Sequence, residues 1–172
     1  MMIEKFIPRM YKKDVFSINY DALKKKNIKL LIFDLDNTLS LVDELVPSKE
    51  IENLINNLSK EFTIIVASNN SYQRVSNFCK ALNCQFLSSS MKPTKKLTHF
   101  LNKNFNYTFN EIAIIGDQIV TDIFLGNRSK FLSILVDPKG QKDLKITSLN
   151  RFIENIIKKR INFKKGEYYE KK

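Results

Sequence analysis

Apolar positions along the chain fall into two alternating kinds of segment. Residues 29–35, KLLIFDL, form a short apolar run between polar residues, the mark of a strand buried on both faces. Pro47 then opens a stretch in which Ile51, Leu54, Ile55 and Leu58 recur at helical spacing. The run from Phe62 to Ala67 is β-branched and stops at Ser68-Asn69-Asn70, predicting a second strand. Val75, Phe78, Cys79 and Leu82 predict the next helix, Gln85-Phe86-Leu87 a short third strand, and Leu97, Phe100 and Leu101 a helix begun by Pro93. A fourth strand at 112–115 is stopped by Gly116, a short helix follows, and Phe131–Val136 is the fifth strand. The last predicted helix places Leu149, Phe152, Ile153 and Ile156 on one face. Near-continuous apolar strands alternating with amphipathic helices predict an α/β fold of three layers, with a parallel sheet covered on both sides. Residues 1–28, with Phe6, Ile7, Val15, Phe16, Ile18, Tyr20 and Leu23, read as an N-terminal extension packed on a domain spanning 29–160, and 161–172 as a basic tail.

Composition narrows the class. The 172 residues suit one domain, and with 43% apolar residues, 13 Phe and 6 Tyr they can build one core. Only 4 Gly and 4 Pro exclude collagen-like and low-complexity chains. No apolar run approaches the roughly 18 residues of a spanning helix. MMIEKFIPRM lacks a continuous apolar stretch, so no secretory signal is expected. One His and two Cys are too few for a Cys/His zinc site, and the single His also argues against a Ser-His-Asp triad. Cys79 and Cys84 are expected as free thiols in a reducing, cytoplasmic compartment, Cys79 as part of the core. His99 is expected to be a structural or surface residue.

The net charge of +11 is unevenly spread. Residues 1–29 and 151–172 each hold 8 basic and 3 acidic side chains, so the stretch between is close to neutral. Basic ends on a neutral core suit contact with an anionic surface, either membrane or nucleic acid. Solvated lysines on frayed ends are an equal alternative, and for the final KKRINFKKGEYYEKK the solvated tail is favoured.

Polar residues of one kind follow the predicted strands. Asp34-Leu35-Asp36-Asn37-Thr38 ends the first, Ser68-Asn69-Asn70 the second, Lys92-Pro93 follows the third, and Gly116-Asp117 the fourth, with Asp122 five residues on. Ligands of open parallel sheets bind beyond the carboxyl ends of the strands, so these residues should meet on one rim. Several carboxylates in one place call for a divalent cation, and an all-oxygen set favours Mg²⁺. With Lys92 and Ser68 added, the set suits a phosphate group. Asp34 can then act as nucleophile, and Asp36 as the acid that protonates the leaving oxygen and the base that activates water.

The segments DLDNT, ASNN, MKP and GDQIVTD, in this order, resemble the four motifs of haloacid-dehalogenase (HAD) superfamily phosphatases. FIPRMYKKDVFSINYDALKKKNIKLLIFDLDNTL, SNNSYQRVSNF and GDQIVTDIFLGNR further resemble the YqeG family of subclass IIIA, related to phosphatidylglycerophosphate phosphatases, over nearly the whole chain to about residue 160. The resemblance implies a Rossmann-like, HAD-like fold with the first motif strand central. It implies Asp34 as nucleophile and metal ligand, Asp36 as acid/base with its carbonyl on the metal, and Asp117 as metal ligand. Asp122 would support the metal shell, and Ser68, Asn69 and Lys92 would bind phosphate. Arg128, in GNR, is placed either to reach a substrate or to brace its loop.

Neither the stretch between Asp36 and Pro47 nor that before Lys92 is long enough for a cap domain, so an open site is expected. Open sites suit large or surface-presented substrates. The expected activity is therefore Mg²⁺-dependent hydrolysis of a phosphomonoester, with phosphatidylglycerophosphate the favoured substrate, at the inner face of a membrane. A phosphoprotein or nucleic-acid end is an alternative substrate, and a non-catalytic module binding RNA or a ribonucleoprotein is the rival of another class.

Overall fold

The computed structural model describes residues 2–140 and 145–171. Seven strands form one sheet: β1 (Met10–Lys12), β2 (Leu30–Phe33), β3 (Thr63–Ala67), β4 (Gln85–Leu87), β5 (Ile112–Gly116), β6 (Leu132–Val136) and β7 (Tyr169–Glu170). Their order is β4-β3-β2-β5-β6-β1-β7, parallel throughout except that β7 runs antiparallel to β1. Six α-helices accompany them: α1 (Tyr20–Lys25), α2 (Lys49–Leu58), α3 (Tyr72–Leu82), α4 (Lys96–Asn104), α5 (Phe124–Arg128) and α6 (Lys145–Arg160).

The expected three layers are present, and the pleat shows why the central strands are apolar throughout. Successive side chains of a strand point to opposite faces. Leu31 and Phe33 of β2 pack in one cluster with Ile51 and Ile55 of α2 and Val75, Phe78 and Cys79 of α3. Leu30 and Ile32 pack in the other, with Leu97 and Leu101 of α4 and Leu125 of α5. Both faces are buried, so neither set of positions tolerates polar residues. From β2 the chain winds outward through β3 to β4, then crosses back to β5 on the other side of β2. The crevice between the carboxyl ends of β2 and β5 is thus the switch point at which such sheets bind ligands.

Several local expectations are corrected. Pro47 and Pro93 precede their helices and do not open them. Ser48 caps α2 by accepting from the Ile51 N–H, and α4 begins three residues after Pro93, at Lys96. Two segments expected outside the sheet belong to it. Residues 10–12, within the expected N-terminal extension, pair with β6, and residues 169–170, within the expected basic tail, pair with β1. The tail is not a solvated arm. The Tyr11 hydroxyl donates to Asp137 and accepts from the Gly166 N–H, while Tyr168 donates to the other Asp137 oxygen. On α6, Ile153 and Ile156 are exposed, and the residues turned inward are Glu154 and Ile157. The side chains of Leu149 and Phe152 lie outside the described residues. Cys79 and Cys84 are free thiols, and Cys79 is core, as expected.

Among the described residues the segments 34–48 and 88–95 carry no cap domain, and no helix is long and apolar enough to cross a membrane.

Candidate active site

The ladder between β2 and β5 extends one residue past β2, where the Asp34 N–H donates to the Ile115 carbonyl at 2.8 Å. The carboxyl group therefore emerges at the strand end, with its backbone fixed. Asp117 follows β5 in the same way. Asp122 is brought in by a π-helical turn, Ile119–Ile123, a local widening that often marks functional sites. One carboxylate oxygen from each of Asp34, Asp117 and Asp122 lies within 4.8 Å of the others, and all three residues are buried.

Lys92 enters this cluster from the far side of β3. Its ammonium lies 2.6 Å from Asp34 Oδ1 and 2.7 Å from Asp122 Oδ1, and donates to the Ala67 carbonyl at 2.6 Å. The ammonium makes two hydrogen bonds, to Asp34 and the Ala67 carbonyl, and an ion pair with Asp122, whose Oδ1 is buried without a hydrogen-bond donor. Burial alone would lower the Lys92 pKa, but Asp122 and Asp34 outweigh it and hold the ammonium above its ordinary value. Burial pushes the Asp34 carboxyl well above the usual carboxylate range; Lys92 pulls it back, and Asp122 and Asp117 push it further.

When all three carboxyls are ionised, three negative charges face one ammonium in a buried pocket, an excess of two that a divalent cation would balance. The donors are hard oxygens, as Mg²⁺ prefers. The cluster can therefore coordinate a divalent metal. Thr38 steadies it by donating to Asp117 Oδ1, and Thr121 and the Gln118 N–H both donate to Asp122 Oδ2.

The carboxylate of Asp36 is turned elsewhere. Arg74 Nη2 donates to Oδ1 at 3.2 Å, while Asn70 Nδ2 and Ser68 Oγ donate to Oδ2 at 3.1 and 3.4 Å. Arg74 is itself almost buried, placed over the Phe78 ring and bonded to the Leu41 carbonyl. Ser68 thus stands beside Asp36 at the end of β3. Asn69, which the resemblance implies as a phosphate ligand, is bonded to the loop that carries Lys92. Its carbonyl oxygen accepts from the Lys92 N–H and the Ser90 hydroxyl, and its amide donates to the Lys92 carbonyl. It holds the loop that delivers Lys92. His99 is exposed on α4, and Arg128 stacks over Phe124 at 5.6 Å, the bracing position of its two alternatives.

Sequence reasoning passed over Thr38, Asn70, Arg74, Gly116 and Glu154. Thr38, Asn70 and Gly116 lie inside the motifs already singled out, and could have been read from that position. Arg74 likewise lies inside SNNSYQRVSNF, one of the segments singled out, whereas Glu154 carried no such signal. Glu154, fully buried on α6, accepts from the Ile119 N–H at 2.5 Å, at the start of the turn that carries Asp122. With Ile157 packed among Tyr11, Ile119 and Ile123, this bond turns the Glu154 side of α6 inward instead of the Ile153/Ile156 side. A Cβ at Gly116 would overlap the carboxyl carbon of Asp122. Gly116→Ala should therefore displace Asp122 and lower the turnover expected of such a site by about a hundredfold. A Mg²⁺ titration of that turnover should show weakened metal affinity, and an unchanged titration would contradict the placement of Asp122.

A model of the family described as mitochondrial PGP phosphatase matches residues 2–138. The chain belongs to the mitochondrial PGP phosphatase family. It is 32% identical over 158 residues to the "Probable phosphatase YqeG" of Bacillus subtilis (strain 168), covering 91% of this chain and 92% of that one. It is 30% identical over 147 residues to phosphatidylglycerophosphate phosphatase 1, chloroplastic/mitochondrial, of Arabidopsis thaliana, covering 80% of this chain but only 42% of the plant protein. The fold is shared with the cobalt-bound deoxy-D-mannose-octulosonate 8-phosphate phosphatase (YrbI) of Haemophilus influenzae, at a TM-score of 0.52, 15% identity, and coverage of 79% and 90%. A protein from Listeria monocytogenes serotype 4b gives the same TM-score and identity, with 77% and 99% covered. Within the PGP phosphatase family, this member has the HAD-like fold and an acidic cluster consistent with phosphomonoester hydrolysis.

Proposed function

We propose that the chain is a Mg²⁺-dependent phosphatase that hydrolyses phosphatidylglycerophosphate to phosphatidylglycerol through an aspartyl-phosphate on Asp34. The observation that carries the reading is the meeting of Asp34, Asp117 and Asp122 with the buried Lys92 at the switch point of the sheet. The choice of lipid is supported by the family and by the name of the plant relative.

Asp34, Asp117 and Asp122 would hold the metal, whose chemistry when bound is to neutralise the phosphoryl oxygens as an anionic nucleophile approaches. An Asp34 carboxylate oxygen attacks phosphorus while the bond from phosphorus to the glycerol oxygen breaks. That oxygen takes a proton from the Asp36 carboxyl. Asp36, now a carboxylate, takes a proton from water as the water oxygen attacks phosphorus, and the bond to Asp34 breaks to release phosphate. Lys92 remains beside Asp34 throughout, offsetting negative charge at the reacting centre. In this structure Arg74 and Asn70 hold the Asp36 carboxylate away from the cluster, so its carboxyl must turn from them to serve the leaving oxygen.

The test is phosphate release with Mg²⁺ and with EDTA from four substrates: an aryl phosphate, phosphatidylglycerophosphate in mixed micelles, a phosphopeptide and a 5′-phosphorylated oligonucleotide. Mg²⁺-dependent turnover greatest on the lipid is the expected result. Preference for the peptide or oligonucleotide would replace the substrate, and silence on all four from folded protein would overturn the enzymatic reading.

A further inference from the structure

Among the described residues, the four most exposed large apolar side chains are Leu45, Val46, Tyr72 and Met91, with 67, 64, 68 and 59% of their surface in solvent. Single exposed apolar residues need no explanation, but the segments carrying these four all follow the carboxyl ends of strands, Tyr72 at their outer edge with its ring against Phe86. Leu45 and Val46 lie between β2 and α2, Tyr72 begins α3 just after β3, and Met91 precedes Lys92. They project from the same strand-end segments that carry Asp34, Asp36, Ser68 and Lys92. Phe16, after β1, is also exposed on this side, as is Tyr168, bonded to Asp137 after β6.

The opposite end of the sheet has another character. Lys5, Arg9, Lys26, Lys130 and Lys171 line a groove of about 810 Å³ at the amino ends of the strands. The two basic ends of the chain meet there, where the Lys171 N–H donates to the Arg9 carbonyl. A protein adsorbed on an anionic membrane through that end would turn its active site toward water.

We infer that the apolar rim around the active site is a lipid-docking surface, which enters the headgroup region of a bilayer and seats the carboxylate cluster over a membrane-borne phosphomonoester. The inference rests on reading the site as a phospholipid phosphatase. The four side chains come from three separate segments, Leu45 and Val46 side by side on one loop, Tyr72 at the start of α3 and Met91 before Lys92, with polar residues between the segments. A protein partner packs against a continuous core patch, whereas a fluid bilayer accommodates separated projections. Beside Met91, Lys95 and Lys96 are exposed, and the Lys96 ammonium rests on the neutral Ser89 carbonyl, leaving its charge for lipid phosphates. On the Leu45 loop Asp43 and Glu44 precede the apolar pair, and Glu44 accepts from the neutral Ser40 hydroxyl and Leu41 N–H and keeps its charge, so insertion there rests on the apolar side chains.

The test compares the full chain with a Leu45→Ser, Val46→Ser, Met91→Ser variant, and with an Ile153→Ser, Ile156→Ser control that removes exposed apolar surface from α6. Co-sedimentation with phosphatidylcholine vesicles, with and without phosphatidylglycerol, is measured at low salt and at about 0.5 M NaCl. The wild type and the α6 control should bind and keep most of their binding in high salt. The rim variant should bind about tenfold less and hydrolyse vesicle-borne lipid phosphate about tenfold more slowly, with aryl-phosphate turnover within about twofold of wild type. Absent wild-type binding, binding abolished by salt, or equal binding by the rim variant would each overturn the inference. So would a wild-type dimer that the rim variant alone converts to monomer, which would assign the rim to a second copy. If the wild type binds vesicles through the rim but hydrolyses no phosphate ester, the phosphatase reading fails while the docking surface stands.

Discussion

Asp34→Asn is expected to reduce phosphate release by about a thousandfold or more and to leave the fold intact. The amide has the shape of the carboxylate, and its oxygen can still accept from Lys92, but it is not a nucleophile. The backbone at this position is held by the Ile115 carbonyl, so the strand end does not depend on the side chain. A second readout follows from the electrostatics. Burial, with Asp122 and Asp117, raises the Asp34 carboxyl above its unfolded value against the pull of Lys92. A group raised in the native state contributes stability that is full below its unfolded pKa, near 4, and is lost as pH rises through the native value. In EDTA, the wild type should therefore lose stability relative to Asp34→Asn as pH increases above about 4. Thermal melts of both proteins across pH check this, and Mg²⁺ should flatten the wild-type trend. A difference that grows in favour of the wild type with pH would mean that Asp34 is not the crowded acid described here. Wild-type turnover by Asp34→Asn would remove it from the chemistry.

The reach of the sequence can be followed through particular residues. Leu30 to Phe33 and Ile112 to Ile115 announced themselves because strands buried on both faces are apolar without interruption. Once these were parallel strands, the strand-end rule sent Asp34, Ser68, Lys92 and Asp117 to one rim, and the structure brings them there. Met10–Lys12 and Tyr169–Glu170 were illegible as strands. They are three and two residues long, and they hold their places by pairing with a sheet that exists only after folding. Local periodicity cannot register such partners. The inward face of α6 was misread for a related reason. Its inward side combines the Glu154 carboxylate on the Ile119 N–H with Ile157 packed among Tyr11, Ile119 and Ile123, partners that exist only after folding. Arg74 lay within a segment singled out for its resemblance, but neither spacing nor periodicity assigns it a partner. Its role appears only when α3 is laid beside the loop that follows Asp36. Asn69 lay in a recognised motif, yet its partners are the Lys92 loop, some 20 positions away in sequence.

Lys92→Met should have the largest effect on stability of any substitution at the site. The side chain is buried and neutralises two carboxylates while satisfying the Ala67 carbonyl. Methionine fills a similar volume and removes every one of these bonds. Breaking a buried ion pair by deleting one partner costs about 3–5 kcal/mol, because the remaining charge stays buried without compensation. Against a total stability of about 5–15 kcal/mol, this is a large share, and it corresponds to a melting temperature lower by about 10 °C. A divalent cation binds the native cluster and not the unfolded chain, so saturating Mg²⁺ should restore part of the loss. The gain in melting temperature on replacing EDTA with Mg²⁺ should therefore be larger in Lys92→Met than in the wild type, although turnover is lost in both conditions. Lys92→Arg should not restore the wild-type behaviour. A planar guanidinium cannot present one compact charge to partners that converge on a single point. A Lys92→Met protein as stable as the wild type in EDTA would show that the acids carry no uncompensated charge, and the need for a metal at Asp34, Asp117 and Asp122 would fall with it.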